Sequence, residues 1–276
     1  MFDSIDTGKY WDKAWSLVSG CTPCSPGCDH CWSTKMTYRF EHHDIFLPRQ
    51  LTNSERQFSG RISIHPEHLD IPLKRKKPTV WAIWNDLFHE DVPFEFIEDA
   101  FEVMRHDSFG HIFLVLTKRP KRILDYWDWR QEVLLNPSVH MAWPENVWLD
   151  VTVCNQEEAD EKIPLLLQIP AAVRWVSIEP MLGPIHFGLR QEWPNKPILS
   201  NNARSTIDWL VLGGETGPGA RPMHPDWVRS VRDQCQAAGV PFFFKNWGAR
   251  PPLKLRKLNY GRLLDGRTWN ELPEVK

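Results

Sequence analysis

No apolar run in this chain reaches the ~18 residues that a membrane-spanning helix needs. The N-terminal stretch MFDSIDTGKYWDKAW has no apolar signal-peptide core, so a cytoplasmic protein with no membrane partner is expected. An excess of one charge is missing too. Lys and Arg number 33 against 35 Asp and Glu, and a net charge of −2 gives no global electrostatic reason to bind nucleic acid. There is no G-x-S-x-G elbow, no Walker loop and no H-E-x-x-H, so hydrolase, nucleotidase and zinc-protease readings lack a motif. No low-complexity tract or linker divides the chain, and 276 residues suit a single α/β barrel.

Tryptophan is abundant, at fifteen residues. Most are expected in the core or a groove wall, and aromatic side chains also stack on bases. Basic runs at 74–77, 118–122 and 254–257 read first as solvated faces or loops.

The chemistry concentrates in GCTPCSPGCDHCW (20–32), which places Cys21, Cys24, Cys28 and Cys31 within eleven residues. Clustered thiols in a reducing compartment point to metal rather than disulfides, and soft sulfur donors select zinc or iron–sulfur clusters. Two spacings compete. As four ligands, C-x2-C-x3-C-x2-C closes a zinc site or a fully ligated cluster. As three, Cys24-x3-Cys28-x2-Cys31 has the spacing of radical S-adenosyl-L-methionine (radical SAM) enzymes, in which one iron of a [4Fe–4S] cluster stays open for SAM. Pro26 and Gly27 allow a sharp turn and bring backbone N–H groups towards the sulfurs. His30 stands where radical SAM proteins usually carry an aromatic residue near the adenine.

After a short helix at 32–41 and a strand at 61–64, strands and helices alternate. Buried strands are expected at 79–88, 111–120, 147–156, 174–180, 207–215 and 240–248. Helices are expected at 93–104, 121–129, 157–167 and 225–238, the last stopped by Gly239. This order implies a parallel sheet with right-handed crossovers, in a partial or complete (βα) barrel of the radical SAM type. The barrel is expected over 1–248, with 191–206 as a surface insertion and 249–276 as an irregular appendage packed on it.

Each run ends in a chemically active residue: Asp86, Lys118, Asn155, Glu179, Glu215 and Lys245. The carboxyl ends of barrel strands form the site. Lys118, Glu179 and Lys245 are the candidate catalytic residues. Candidates for cofactor binding are His30, Asp86, Asn155, Gly213, Gly214, Glu215 and Arg221. Glu179 and Glu215 either bind the amino group of SAM, position a substrate, or form a buried ion pair with Lys118 or Lys245. Gly213 and Gly214 permit close backbone approach, and Gly217, Gly219 and Arg221 form a loop suited to an anion. Asp86 with His89 reads as an acid–base pair or as a cap and turn. His89 and His224 read as proton donors or as helix-entry histidines. Cys154 reads as a small buried thiol, and Cys235 as a core residue.

These motifs together resemble a phage- and prophage-associated family of unknown function that is radical-SAM-like. The resemblance spans nearly the whole chain, through SGCTPCSPGCDHCW, NDLFHEDVP, VLTKRP, VSIEPMLGPI, GGETGPGARPMHPDWVR and VPFFFKNWG. The LTKRP strand end and the layout also resemble, distantly, spore photoproduct lyase. The family's cysteines correspond to Cys21, Cys28 and Cys31, with an aliphatic residue in place of Cys24 and more often an acidic one in place of Cys154. Both spacings are therefore present here. The resemblance implies a [4Fe–4S] cluster, SAM, and an external electron donor such as flavodoxin. It also implies hydrogen abstraction from a small molecule or nucleobase, such as a modified pyrimidine nucleotide or a base of phage DNA, in the host cytoplasm. The outcome would be rearrangement, cleavage or group transfer. Two rivals stand beside it: a non-enzymatic zinc or iron–sulfur module binding nucleic acid or a partner protein, and a cluster used for electron transfer alone.

Overall fold

The structure, a computed structural model, describes residues 5–43, 50–133, 142–188, 206–251 and 261–274. In chain order it contains β1 (Lys13–Trp15), β2 (Val18–Gly20), α1 (Trp32–His43), β3 (Ile62–Ile64), β4 (Val80–Ile83) and α2 (Phe94–Arg105). There follow β5 (Ile112–Thr117), α3 (Pro120–Val133), β6 (Val147–Thr152), α4 (Gln156–Leu166), β7 (Val173–Ile178), β8 (Trp209–Gly213), α5 (Pro225–Ala238) and β9 (Phe242–Asn246). β4, β6 and β8 are buried at every position, as strands covered on both faces must be.

Seven strands form one parallel sheet in the order β1-β4-β5-β6-β7-β8-β9. Tyr10 reveals its curl. It stands just before β1 at one edge, yet its ring packs edge-on against Trp175, Trp209 and Phe243 at 5.5, 5.6 and 5.7 Å, reaching β9 at the other edge. Among the described residues β1 and β9 are not paired, so the barrel is a half-barrel.

The concave face is filled by Val80, Leu114, Trp148, Trp175, Trp209 and Phe243. Burying an aromatic side chain of this kind stabilises the fold by roughly 3 kcal/mol. The convex face is covered by helices, where α2 buries Phe96, Ile97, Ala100, Phe101 and Met104, the residues its periodicity marks. α5 ends at Gly239 with φ 69°, a left-handed cap that glycine adopts without strain.

β1 escapes a sequence reading because it has only three residues, one of them buried, and no apolar run. The expected strand at 79–88 stops at Ile83, because Asn85 turns the chain at φ 58° and 85–92 becomes a loop. The strands expected to reach 120, 156, 180, 215 and 248 likewise end earlier, once polar residues leave the ladder. β2 and β3 form a small antiparallel ribbon that leads directly into the cysteines.

Most of the insertion expected at 191–206 lies outside the described residues, as does 252–260. Residues 261–274 run along β9: Phe243 bridges Asn270, and the Phe244 amide donates to the Trp269 carbonyl at 2.9 Å. They cover what would otherwise be an open sheet edge. No helix of the described residues is long and apolar enough to cross a membrane.

Candidate functional site

A cavity of about 500 Å³ opens at the carboxyl ends of the strands, between the strand ends and the cysteine loop. All four clustered cysteines line it, together with His30, Asp86, Lys118, Glu179, Gly214, Glu215 and Lys245. Trp11, Trp32 and Trp84 form an aromatic wall, in which Trp84 meets Trp32 at 5.2 Å and Trp11 at 6.4 Å between centroids.

Two arginines hold the loop down. The Arg119 guanidinium donates to the Thr22 carbonyl at 2.6 Å, to Asp86 Oδ2 at 2.8 Å and to both Glu90 oxygens at 2.8 Å. It also lies 3.9 Å from the Cys21 sulfur. From the other side Arg221 donates to the Pro26 carbonyl at 2.7 Å and to Asp29 at 3.1 Å, while its fork grips Glu215 at 2.6 and 3.0 Å. Buried His89 meets the Thr22 hydroxyl at 2.9 Å, so it is a support of the loop. Gly27 sits against Pro180, where an added Cβ would approach to 3.1 Å.

Within the loop, Cys24 and Cys28 share a hydrogen bond that lowers the Cys28 thiol below its ordinary value and raises that of Cys24. Burial, then the charge of Asp86, push the Cys21 thiol up to about 11. At Lys118 burial opposes the charge, but the neighbouring cysteine sulfurs, that of Cys28 first, outweigh it and hold the ammonium above its usual pKa. The four thiols are soft donors of the kind that zinc and iron–sulfur clusters take, with Lys118 and Arg119 beside them, but no three of their sulfurs lie within 4.8 Å of one another as those of a closed zinc site would.

Glu179 is the carboxylate that faces the cavity floor. It pairs with Lys245 at 2.7 Å and accepts from the Tyr10 hydroxyl at 2.7 Å and from Ser177 at 3.2 Å. Burial works against its charge, but Lys245 and these donors hold its pKa below the usual range. Beneath it Asp150 is fully buried, and burial holds its carboxyl well above the ordinary value.

Other candidates turn out to have work inside the protein. Asn155 lies off the cavity and caps α4, accepting from the Glu158 amide at 2.9 Å. Asp86 accepts from Thr117, Phe88 and Arg119, so its oxygens serve the loop. Gly214 is glycine because a Cβ would lie 2.4 Å from the Trp247 carbonyl, and Gly213 because one would lie 2.9 Å from Glu179. A Cβ on Gly219 would approach His30 to 2.9 Å. Cys154 is buried with its sulfur 3.8 Å from Ser25, beneath the loop, and Cys235 is in the core.

Sequence reasoning passed over Tyr10, Thr22, Asp150 and Arg119 as site residues. Arg119 was within reach, since it abuts an apolar strand as Lys118 does. Tyr10 and Thr22 give no such signal.

Thiols anchored over the strand ends of an open parallel sheet define the class: an α/β half-barrel protein with a thiol-lined mouth. The chain belongs to the DUF5131 family, described as proteins of unknown function, which it matches over residues 6–273. No curated protein and no solved structure matches it.

Proposed function

We propose that the protein is a radical SAM enzyme acting on a nucleobase, of the kind found in a modified pyrimidine nucleotide or in DNA. The observation that carries this reading is the anchoring of four thiols over the carboxyl-end mouth of a parallel half-barrel, on the wall of a cavity. Cys28 and Cys31, with Cys21 or Cys24, would hold the cluster. When bound, a [4Fe–4S] cluster with one open iron would take S-adenosyl-L-methionine and supply the electron that releases a 5′-deoxyadenosyl radical. An external donor such as flavodoxin would provide that electron.

The chain's own residues fill the remaining roles. Lys118 and Arg119 place positive charge beside the thiolates. Glu179, fixed by Lys245 and Tyr10, offers a carboxylate to an amino group or a substrate N–H. His30, which lines the cavity and packs against Gly219, would border an adenine there. Trp11, Trp32 and Trp84 offer a face on which a flat base stacks. A volume of about 500 Å³ is of the size that small-molecule sites have.

A second reading has its own observation. All four thiols share one wall of the cavity, and four-thiolate closure would draw them together, since no three of the sulfurs lie within 4.8 Å of one another. The chain would then be a zinc or iron–sulfur module that binds nucleic acid or a partner protein.

Anaerobic reconstitution, iron and sulfide analysis, and electron paramagnetic resonance with and without SAM separate the two. A [4Fe–4S] signal that shifts with SAM supports the enzyme. Zinc, or a cluster indifferent to SAM, supports the module. Replacing Cys21 and Cys24 singly identifies the dispensable thiol, and Cys28→Ala removes the cluster.

A further inference from the structure

A second set of metal-ligating side chains lies outside the cavity, at the foot of the ribbon leading into the cysteines. His65, Glu67 and His68 follow β3 in one short turn, and a donor atom from each falls within 4.8 Å of the others. The two imidazole rings stack side by side, 5.0 Å between centroids and 24° between planes. His65 is buried, His68 half-buried and Glu67 exposed, so water can reach the group.

The partners of each ring decide which nitrogen is available. His68 Nδ1 lies 2.7 Å from the Ser16 carbonyl, which only accepts; Nδ1 therefore carries the proton, and Nε2 keeps its lone pair. His65 Nε2 lies 2.8 Å from the Ser19 hydroxyl, which serves as donor or acceptor. When Ser19 accepts, the lone pair of His65 Nδ1 faces Glu67 Oε1, 3.2 Å away. When Ser19 donates instead, Nδ1 carries the proton and donates it to Glu67, and a bound cation would take that proton's place. A ring N–H held by a carbonyl or hydroxyl is also how metal-binding histidines are oriented. The turn itself is braced: the His65 amide donates to the Leu17 carbonyl at 2.9 Å, and Trp15 Nε1 donates to the His68 carbonyl at 2.8 Å. Pro66 restricts its backbone further.

We propose that His65 Nδ1, Glu67 and His68 Nε2 bind a divalent cation of the zinc class, with water completing the coordination. Two imidazoles and one carboxylate are a donor set that zinc takes with an open position. The orienting groups Ser16 and Ser19 flank and belong to β2, and Ser19-Gly20-Cys21 runs straight into the thiol loop. The ion would therefore brace the ribbon from which that loop departs. This site is independent of the radical SAM reading.

Cobalt(II) titration of the metal-free full-length protein tests it, comparing wild type, His68→Ala and Glu67→Gln. Wild type should bind one cobalt more than His68→Ala, and the difference spectrum should show visible d–d bands without sulfur-to-cobalt charge transfer. Glu67→Gln should weaken that site about tenfold or more. Zinc should raise the thermal midpoint of wild type above that of His68→Ala. Equal cobalt stoichiometry in wild type and His68→Ala, or a difference spectrum dominated by sulfur charge transfer, would overturn the proposal. Should His68→Ala not fold, unchanged affinity in Glu67→Gln, altered only at an exposed side chain, would overturn it as well.

Discussion

Arg119→Met removes the pin that ties the thiol loop to the strand ends. Arg119 is buried and reaches three partners at once, Asp86, Glu90 and the Thr22 carbonyl. Breaking a buried pair costs about 3–5 kcal/mol, because the remaining charge loses its partner. Asp86 retains Thr117 and the Phe88 amide, which places the loss near the lower figure. Glu90 is 60% exposed, so its arm adds only about 0–1 kcal/mol. At about 2–4 °C per kcal/mol for a chain of this size, a 3 kcal/mol loss lowers the thermal midpoint by roughly 6–12 °C. Circular dichroism melts of Arg119→Met, with Glu90→Gln as control, measure it; the control should move by about 4 °C or less. Reconstituted Arg119→Met should also hold less metal than wild type, since the Thr22–Cys21 segment loses its anchor. A melt within about 2 °C of wild type with full metal content would refute the pin.

Three further outcomes are expected. Glu179 is held below its ordinary pKa, so its contribution to stability is present above the unfolded value and is lost as pH falls through the folded one. Lys245→Met should therefore be destabilised at neutral pH, and melts taken at decreasing pH should show the deficit shrinking as Glu179 protonates; a pH-independent deficit would contradict this. Lys118→Met removes a cation beside Cys28, so the pH midpoint for Cys28 alkylation in metal-free protein should shift upward, while an unchanged midpoint would place Lys118 away from the thiolate. Gly214→Ala forces a Cβ to 2.4 Å from the Trp247 carbonyl, where only backbone displacement relieves the clash. It should cost more than the ~1–3 kcal/mol of ordinary overpacking and appear as a large loss of soluble, folded protein.

Much of the architecture was legible because its signals are local. Hydrophobic runs alternating with helical periodicity disclose six strands and the helices between them, and the spacing of Cys21, Cys24, Cys28 and Cys31 marks a loop that gathers four thiols. Placement of the candidate residues at strand ends also follows from order along the chain, since parallel strands bring their carboxyl ends together. β1 was illegible because three residues with one buried side chain make no pattern, and its place depends on β4 lying open beside it.

Tertiary structure alone assigned the partners. Arg221 reaches Pro26, 195 positions away, and Arg119 reaches Thr22, 97 positions away, distances over which no periodicity carries information. For Glu215 and Asp86 the sequence left a ligand role and a structural one open, and the structure gives each an arginine and backbone N–H partners, although both line the cavity with Glu179. Asn155 ends a strand as the others do, but its oxygen is taken by the next helix. The sequence by itself determined which residue types stand at the mouth of the half-barrel. Which of them face the cavity and which hold the loop was decided by the fold, because a charged side chain pairs with whatever the curled sheet brings within 3 Å of it.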